Sequence, residues 1–461
     1  MSNRRVVIGL ILAAILNMGL VFGNDLALTP TTYQQPSLEM ADSGEMPATT
    51  APQQTAPEPK PAPDMLSSPP FPSSQYQLGG SPGIGVDNSI EPGLLMRELY
   101  KTPLGDALKA SRINIYGWLD PGANLSTSNK SGRANAPIAY DDYANEILLD
   151  QAILRFERLP DTVQRDHIDW GFRFDSLYGT DYRYTTMNGI FSNQLNKYNR
   201  KYGYDPVMVY ADLFIPQIAQ GMNIRVGRYI SLPDIEAQLA PDNYMYSHSI
   251  LYTVDPYTQM GVVSTTKLNK EWTIQGGVSA GNDTAIWTDS AKFTPLACIQ
   301  YTTKSGNDSF YPCMNSINDG KYAYNNLQMF VTTWTHRFNP KLHTATETYY
   351  MYEKGVPASA LPANVKPGYA PEWGVLNYME YMFNPKTALS FRSEFYDDIK
   401  GQRTGFATPY TENSIGITYW PTKAITVRPE IRFDHAYSQP AFDNGTKKSQ
   451  LTFAGDIILH F

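Results

Sequence analysis

The 461-residue sequence predicts an all-β chain, a transmembrane antiparallel β-barrel of about 14 strands, with about 12 to 16 as the range. Three observations predict it. Apolar and polar residues alternate almost continuously from residue 112 onward, the connections alternate between long and short, and the composition is poor in charge. Charged residues make up 18% and aromatic residues 13%, with 32 Tyr, 33 Gly and 34 Pro, a recipe for sheet walls with many turns and aromatic belts rather than for a helical enzyme.

The alternation is plain in the closing stretch "LTFAGDIILHF". Leu451, Phe453, Gly455, Ile457, Leu459 and Phe461 fall on one parity; Thr452, Ala454, Asp456, Ile458 and His460 fall on the other. A period of two describes a strand with one apolar and one wetter face. "RINIYGWL" places Ile113, Ile115 and Leu119 on one side, and "DQAILRFER" sets Ala152, Leu154 and Phe156 against Gln151, Arg155 and Glu157. In "IDWGFRFD", Ile168, Trp170, Phe172 and Phe174 oppose Asp169, Arg173 and Asp175. Further strands are predicted at 206–215, 222–229, 256–266, 271–280, 325–337, 341–352, 373–383, 387–397, 409–419, 423–434 and 450–461.

The connections carry a second signal. Long segments such as 230–255, 281–324, 353–371 and 435–449 alternate with short ones such as "KLNK", "NP", "NPKT" and "WPTK"; within 281–324, "LACIQYTT" offers a further strand that would raise the count to sixteen. Outer-membrane barrels pair long extracellular loops with short periplasmic turns and have an even strand count. A soluble β-sandwich also alternates, but it requires neither this rhythm nor strands of 9 to 12 residues throughout. A lipid-facing wall requires about 9–11 tilted residues per strand and no open edge.

Residues 1–23 read as a signal peptide: Arg4 and Arg5 precede the apolar run "VVIGLILAAILNMGLVF". The competing reading, a membrane anchor, meets a run that is short and broken by Asn17. Residues 24–90 form a Pro-, Gln-, Ser- and Gly-rich segment, expected to be a disordered periplasmic spacer, with "PEPKPAP" as a possible partner-binding stretch. Residues 91–111 predict a short helix near or in the barrel mouth, with Leu94, Leu95, Leu99, Leu104 and Leu108 as apolar contacts; the barrel itself is assigned to 112–461. The formal net charge of -7 and the lack of basic runs exclude a nucleic-acid partner.

Three stretches carry a resemblance: "INIYGWLDPG" at 113–122, "DWGFRFDSLYGTDYRY" at 169–184, and the segment from "VMVYADLFIP" through "GMNIRVGRYISLPDIEAQLAPDNYMYSHS" at 207–249. With these, residues 110–461 resemble the OmpL-like outer-membrane β-barrel porins of Gram-negative bacteria. The resemblance implies a pore-forming barrel in the bacterial outer membrane and names no solute. Its surroundings would be outer-membrane lipid and lipopolysaccharide, its cargo small hydrophilic solutes or ions, and its assembly possibly a homo-oligomer, as for porins in general.

If the apolar parity faces lipid, the other parity faces the lumen. That assigns Arg155, Asp169, Arg173, Asp175, Tyr210, Asp212 and Arg225 to the interior, and from the C-terminal half Glu347, Glu380, Arg392, Glu394, Arg428, Glu430, Arg432 and Asp434. Both signs occur, so the expected lumen is a mixed-charge aqueous channel of modest selectivity. For most of these residues a structural salt bridge across the interior is the competing role. The loop at 229–255 is the constriction candidate: "LPDIEAQLA" predicts one or two helical turns, with Pro233 early and Asp234 and Glu236 near the start. Folded inward, those two acids narrow the lumen; left outside, they do nothing to conduction.

Cys298 and Cys313, the only cysteines, predict a disulfide that staples a surface loop. Metal binding would need further ligands nearby, and the six histidines are scattered. No cofactor is expected, and no metalloprotease, nucleophile-elbow, phosphate-loop or EF-hand motif occurs. His248 between Ser247 and Ser249 is the one hydrolase-like cluster. The main alternative to a porin is a non-conducting barrel whose Tyr-rich loops, 178–204 and 241–257, bind a surface or host ligand.

Overall fold

The computed structural model describes residues 81–127, 135–318 and 326–461; the predicted signal peptide and most of the Pro-rich segment lie outside them. Sixteen antiparallel strands close into a barrel. They are β1 Asn114–Ser126, β2 Ile147–Arg158, β3 Asp169–Gly179, β4 Gly203–Ile215, β5 Met222–Ile230, β6 Thr258–Lys267, β7 Trp272–Asn282 and β8 Thr294–Thr302. Then follow β9 Asp308–Ser316, β10 Leu327–Asn339, β11 Leu342–Val356, β12 Gly368–Asn384, β13 Thr387–Asp398, β14 Thr408–Thr422, β15 Ile425–Ala436 and β16 Ser449–His460. Each strand pairs with its sequence neighbours, and β1 pairs with β16, with Leu119 opposite Leu459 and Ala123 opposite Gly455. Closure leaves no unpaired edge for hydrocarbon to meet.

The count is sixteen rather than fourteen because β8 and β9 form a hairpin inside the stretch expected to be one long loop. Its strands alternate well ("TPLACIQYT" and "DSFYPCMNS"), but Pro295, Pro312 and the intervening Ser and Asn residues disguise them as loop. The long–short rhythm survives, because the pair brings its own short turn at 303–307. The first strand is also longer than expected. It continues through "DPGANLS", with a register shift between Asp120 and Pro121, so a Pro-Gly pair that signals a turn instead sits at a bulge.

The parity reading holds around the wall. Phe453, Ile457 and Leu459 are exposed while Thr452, Asp456 and Ile458 are buried, and Ile431 and Phe433 oppose buried Arg432 and Asp434. Exposed apolar residues on one parity and buried charges on the other invert the soluble pattern, as a lipid-facing barrel requires.

Cys298 and Cys313 do form a disulfide, but it staples no surface loop. The two are register partners in β8 and β9, buried beside Leu296 and Tyr311. Residues 91–111 hold two helices rather than one, α1 Leu94–Leu99 and α2 Gly105–Ser111. Met96 is the buried contact, its sulfur 3.1 Å from the Ile115 amide, whereas Leu94 and Leu104 are exposed. Residues 81–90 are docked at the end of the barrel that carries the short turns. Gly85 N donates to Thr162 O at 3.1 Å, Asn88 Nδ2 donates to Thr162 Oγ1 at 2.9 Å, and Lys267 Nζ donates to Ile84 O at 2.9 Å.

Placing a charge on the outward parity tests this arrangement. Ile431→Arg, near the middle of β15, is expected to destabilise the barrel by about 2–4 kcal/mol in lipid vesicles unfolded with denaturant, whereas Leu94→Arg in exposed α1 changes stability by less than about 0.5 kcal/mol.

Candidate functional site

Two short helices, α3 Tyr182–Thr185 and α4 Asn193–Asn196, occupy the β3–β4 connection, and a third, α5 Ile250–Val254, ends the β5–β6 connection. That last connection, residues 231–257, is fastened to inward side chains of the wall. All but four of its 27 residues are buried, which is abnormal for a loop, since loop backbone normally needs water to satisfy its polar groups. Here the inward side chains of the wall replace that water.

The attachments run around the barrel. On β11, Glu347 accepts from Ile235 N at 2.9 Å, and the Tyr349 hydroxyl donates to Asp234. On β12 the Tyr378 hydroxyl donates to Glu236. On β13, Glu394 accepts from Ile250 N at 2.8 Å and from Leu251 N at 2.5 Å, at the start of α5. On β15, Glu430 accepts from Ser247 N at 2.9 Å and from its hydroxyl. Past the β16–β1 seam, Gln151 of β2 donates to Gln238 O at 2.8 Å and accepts from Ala240 N at 3.1 Å. Apolar contacts complete the seating: Ile235, Tyr244, Met245, Ile250, Leu251 and Val254 pack into one cluster with the inner faces of β10–β15, and Leu232, Ala237, Leu239 and Ala240 into another with Trp118, Ile153 and Val207.

Three buried arginines clamp the middle of the segment. Arg392 reaches Glu236 at 3.2 Å, Glu412 at 3.1 Å and the Ser247 hydroxyl at 2.8 Å. Arg428 pairs with Asp456 and donates to Ala240 O and Asn243 O at 2.7 and 2.8 Å. Arg432 pairs with Asp434 at 2.9 Å and donates to His248 O. Planar guanidinium groups suit this work, because each offers five donors in a fixed fork. The expected helical turns at "LPDIEAQLA" do not form. A 3-10 turn at Ala240–Asp242 and α5 occur instead, since wall carboxylates and the Asn243 side chain take the amides of Ile235 and Ala237.

Every lumen candidate from the sequence is buried. Arg155 pairs with Asp175 at 2.7 Å, Arg173 with Glu157 at 2.7 Å, and Arg225 with Asp212 at 2.9 Å, the guanidinium of Arg225 lying 3.8 Å from the Tyr210 ring. Asp169 takes Arg158 at 2.8 Å and also Arg112. Glu380 accepts from the Ser390 hydroxyl at 2.5 Å. Sequence reasoning missed Arg228, paired with Asp205 at 2.7 Å; it shares the parity of exposed Val226 and is buried by its bond to the Thr185 carbonyl of the β3–β4 connection, so alternation alone could not find it. It also missed Asp120, the residue just beyond the predicted strand "RINIYGWL", and Glu412, which alternates with outward Thr411 and Asn413 in β14.

The serines flanking His248 turn away from its ring, Ser247 donating its hydroxyl to Glu430 and Ser249 donating to Glu236. The His248 Nε2 lies 2.8 Å from Ala237 O, and its ring stacks on Tyr140 at 4.1 Å and Tyr252 at 4.8 Å. Burial, with Arg392, Arg428 and Arg432 nearby, pushes its pKa down to about 3. A histidine held neutral supports the packed segment above its unfolded pKa of 6.5, and that support fades as pH falls toward about 3. Hydrogen-exchange protection factors across residues 237–252, corrected for the intrinsic pH dependence of amide exchange, should therefore fall between about pH 7 and pH 4, and His248→Gln should flatten that dependence. Arg392→Ala, which strands Glu236 and Glu412, is expected to cost about 3–5 kcal/mol in denaturant unfolding.

Residues 112–461 match the family described as "Putative beta-barrel porin-2, OmpL-like". A comparison with curated proteins returns no match. Among solved structures, an anion-selective porin from Comamonas acidovorans is similar at 10% identity, covering 76% of this chain and 99% of that one, with a TM-score of 0.49. The outer membrane channel DcaP of Acinetobacter baumannii is similar at 13% identity, over 76% and 97% of the two chains, with a TM-score of 0.45. The family match covers most of the chain and every strand: this chain belongs to the OmpL-like β-barrel porins of the bacterial outer membrane.

Proposed function

We propose that the chain is a passive diffusion porin for small hydrophilic solutes or ions, with the long connections outside the cell and the short turns in the periplasm. The observation that carries this reading is the β5–β6 connection drawn into the barrel and fastened to inward arginines and carboxylates. A connection held there narrows the passage to a seam lined by charged side chains of both signs. Asp234 and Glu236 stand at its start, on Tyr349 and Tyr378. The paired residues Arg155, Asp175, Arg173, Asp212 and Arg225 line the facing wall in this reading, and the outward parity meets lipid and lipopolysaccharide.

One observation favours the alternative, a closed barrel whose outer loops bind a ligand. The inward connection packs against apolar residues on both halves of the wall, which tightens the seam.

Planar-bilayer recording separates the two. The purified, folded chain should give discrete open steps of low unit conductance; a folded barrel that stays silent at every voltage would overturn the porin reading and leave the ligand-binding one.

A further inference from the structure

The short-turn end of the barrel carries a segment that the porin reading does not use. Residues 83–88 fold back on themselves through Asn88, whose Oδ1 accepts from Gly83 N at 3.2 Å and whose Nδ2 donates to Gly83 O at 2.9 Å. Thr162, buried in the β2–β3 connection, donates its hydroxyl to Gly83 O at 2.5 Å and accepts from Asn88 Nδ2 at 2.9 Å. One threonine side chain therefore holds both ends of this turn, and its carbonyl takes Gly85 N as well, at 3.1 Å.

Two further observations place the segment over the opening. The first is Ile84, which is 6% exposed. A Cβ on Gly221, in the β4–β5 turn, would lie 2.7 Å from the Phe214 ring and 2.8 Å from Ile84 Cγ2, so these two side chains adjoin beside that glycine. Phe214 lies on the buried parity of β4 with Tyr210 and Asp212, so Ile84 packs on the buried face of the wall and not on its exposed apolar face. The second is the spread of anchors. Lys267, at the end of β6, donates to Ile84 O at 2.9 Å, and Lys423, in the turn after β14, pairs with Glu91 at 2.5 Å. In ring order those two stations stand eight strands apart, half of the sixteen. Around the wall that is ~38 Å, at about 4.8 Å per strand. The residues from Ile84 to Glu91, folded as they are through Asn88, reach well under the ~25 Å of seven extended steps. The two lysine side chains make up the difference only along a chord, so the segment crosses the mouth.

Little holds it down. Ile84 is the one buried apolar side chain among residues 83–91, Val86 being 51% exposed, and the Glu91–Lys423 pair lies in solvent, where such pairs contribute little. Segments with few buried contacts and exposed hydrogen bonds are the first to open. We propose that residues 83–91 are a strap across the periplasmic mouth, latched by Ile84 and Thr162, which narrows the exit when seated and lifts to widen it. Its effect on conduction rests on the porin reading; the latch itself does not.

Two measurements on the full chain test the strap, with heat-modifiable gel mobility reporting the folding of each variant. By hydrogen exchange, the amides of Gly83 and Gly85 should exchange at least about ten-fold more slowly than their intrinsic rates, and Thr162→Val should erase most of that protection. In planar bilayers Thr162→Val should raise the mean open conductance at least about 1.5-fold over the native chain. Ile84→Ser, which leaves every strand untouched, should act in the same direction on both readouts and replaces Thr162→Val if that variant fails to fold. Exchange of both amides at intrinsic rates in the native chain overturns the latch. Equal conductance of the native chain and the folded variants leaves the porin standing and overturns the strap as a gate. A barrel silent in every form overturns the porin reading and the gate with it.

Discussion

Hydrocarbon cannot hydrogen-bond a peptide group, and that constraint fixes most of this structure. It demands that the last strand find the first, and β16 does so along β1 from His460 to Thr452. Once the sheet is closed, period two forces one parity of every strand into lipid and the other into the interior. The polar residues of a chain with only 18% charge therefore collect inside, at a density that a soluble core would not tolerate.

Crowding charges into a barrel creates a second demand. Arg392, Arg428 and Arg432 are wholly buried, and a buried guanidinium needs both a counter-charge and acceptors for its remaining donors. Neighbouring strands supply Glu412 and Asp456, and Arg432 takes Asp434 two residues along its own strand. The carbonyls of Ala240, Asn243, Ser247 and His248 supply the rest. Wall and inward connection thus satisfy each other: the connection provides acceptors to the arginines, and wall glutamates cap its free amides. Its position follows from the same charges that, in the porin reading, would line a passage.

Much of this was legible beforehand. Parity along "ITVRPEIRFDHA" groups Arg428, Glu430, Arg432 and Asp434 on the face that is buried, because alternation is a local property of the strand. Where local signals conflict with closure, the reading fails. Pro121 and Gly122 look like a turn, yet β1 must extend past them to match β2 and β16, and Asp120 was lost with that stretch. Likewise β8 and β9 carry prolines and polar residues that a barrel tolerates and a soluble strand prediction penalises. The pairing of Cys298 with Cys313 could be read from their number, but not their place in the wall, which depends on the register of two strands not yet recognised. Asp234 and Glu236 were singled out by position in a long connection; their partners, Tyr349 and Tyr378, lie more than a hundred residues away and leave no local trace.

The central claim is that residues 231–257 sit inside the barrel and set its conductance. Replacing residues 236–252 by a short Gly-Ser linker and recording single channels tests it most directly. The account predicts a folded barrel whose unit conductance rises at least about three-fold, because the interior is emptied of its largest occupant. An unchanged conductance in a folded barrel would place the connection outside the lumen and contradict the account.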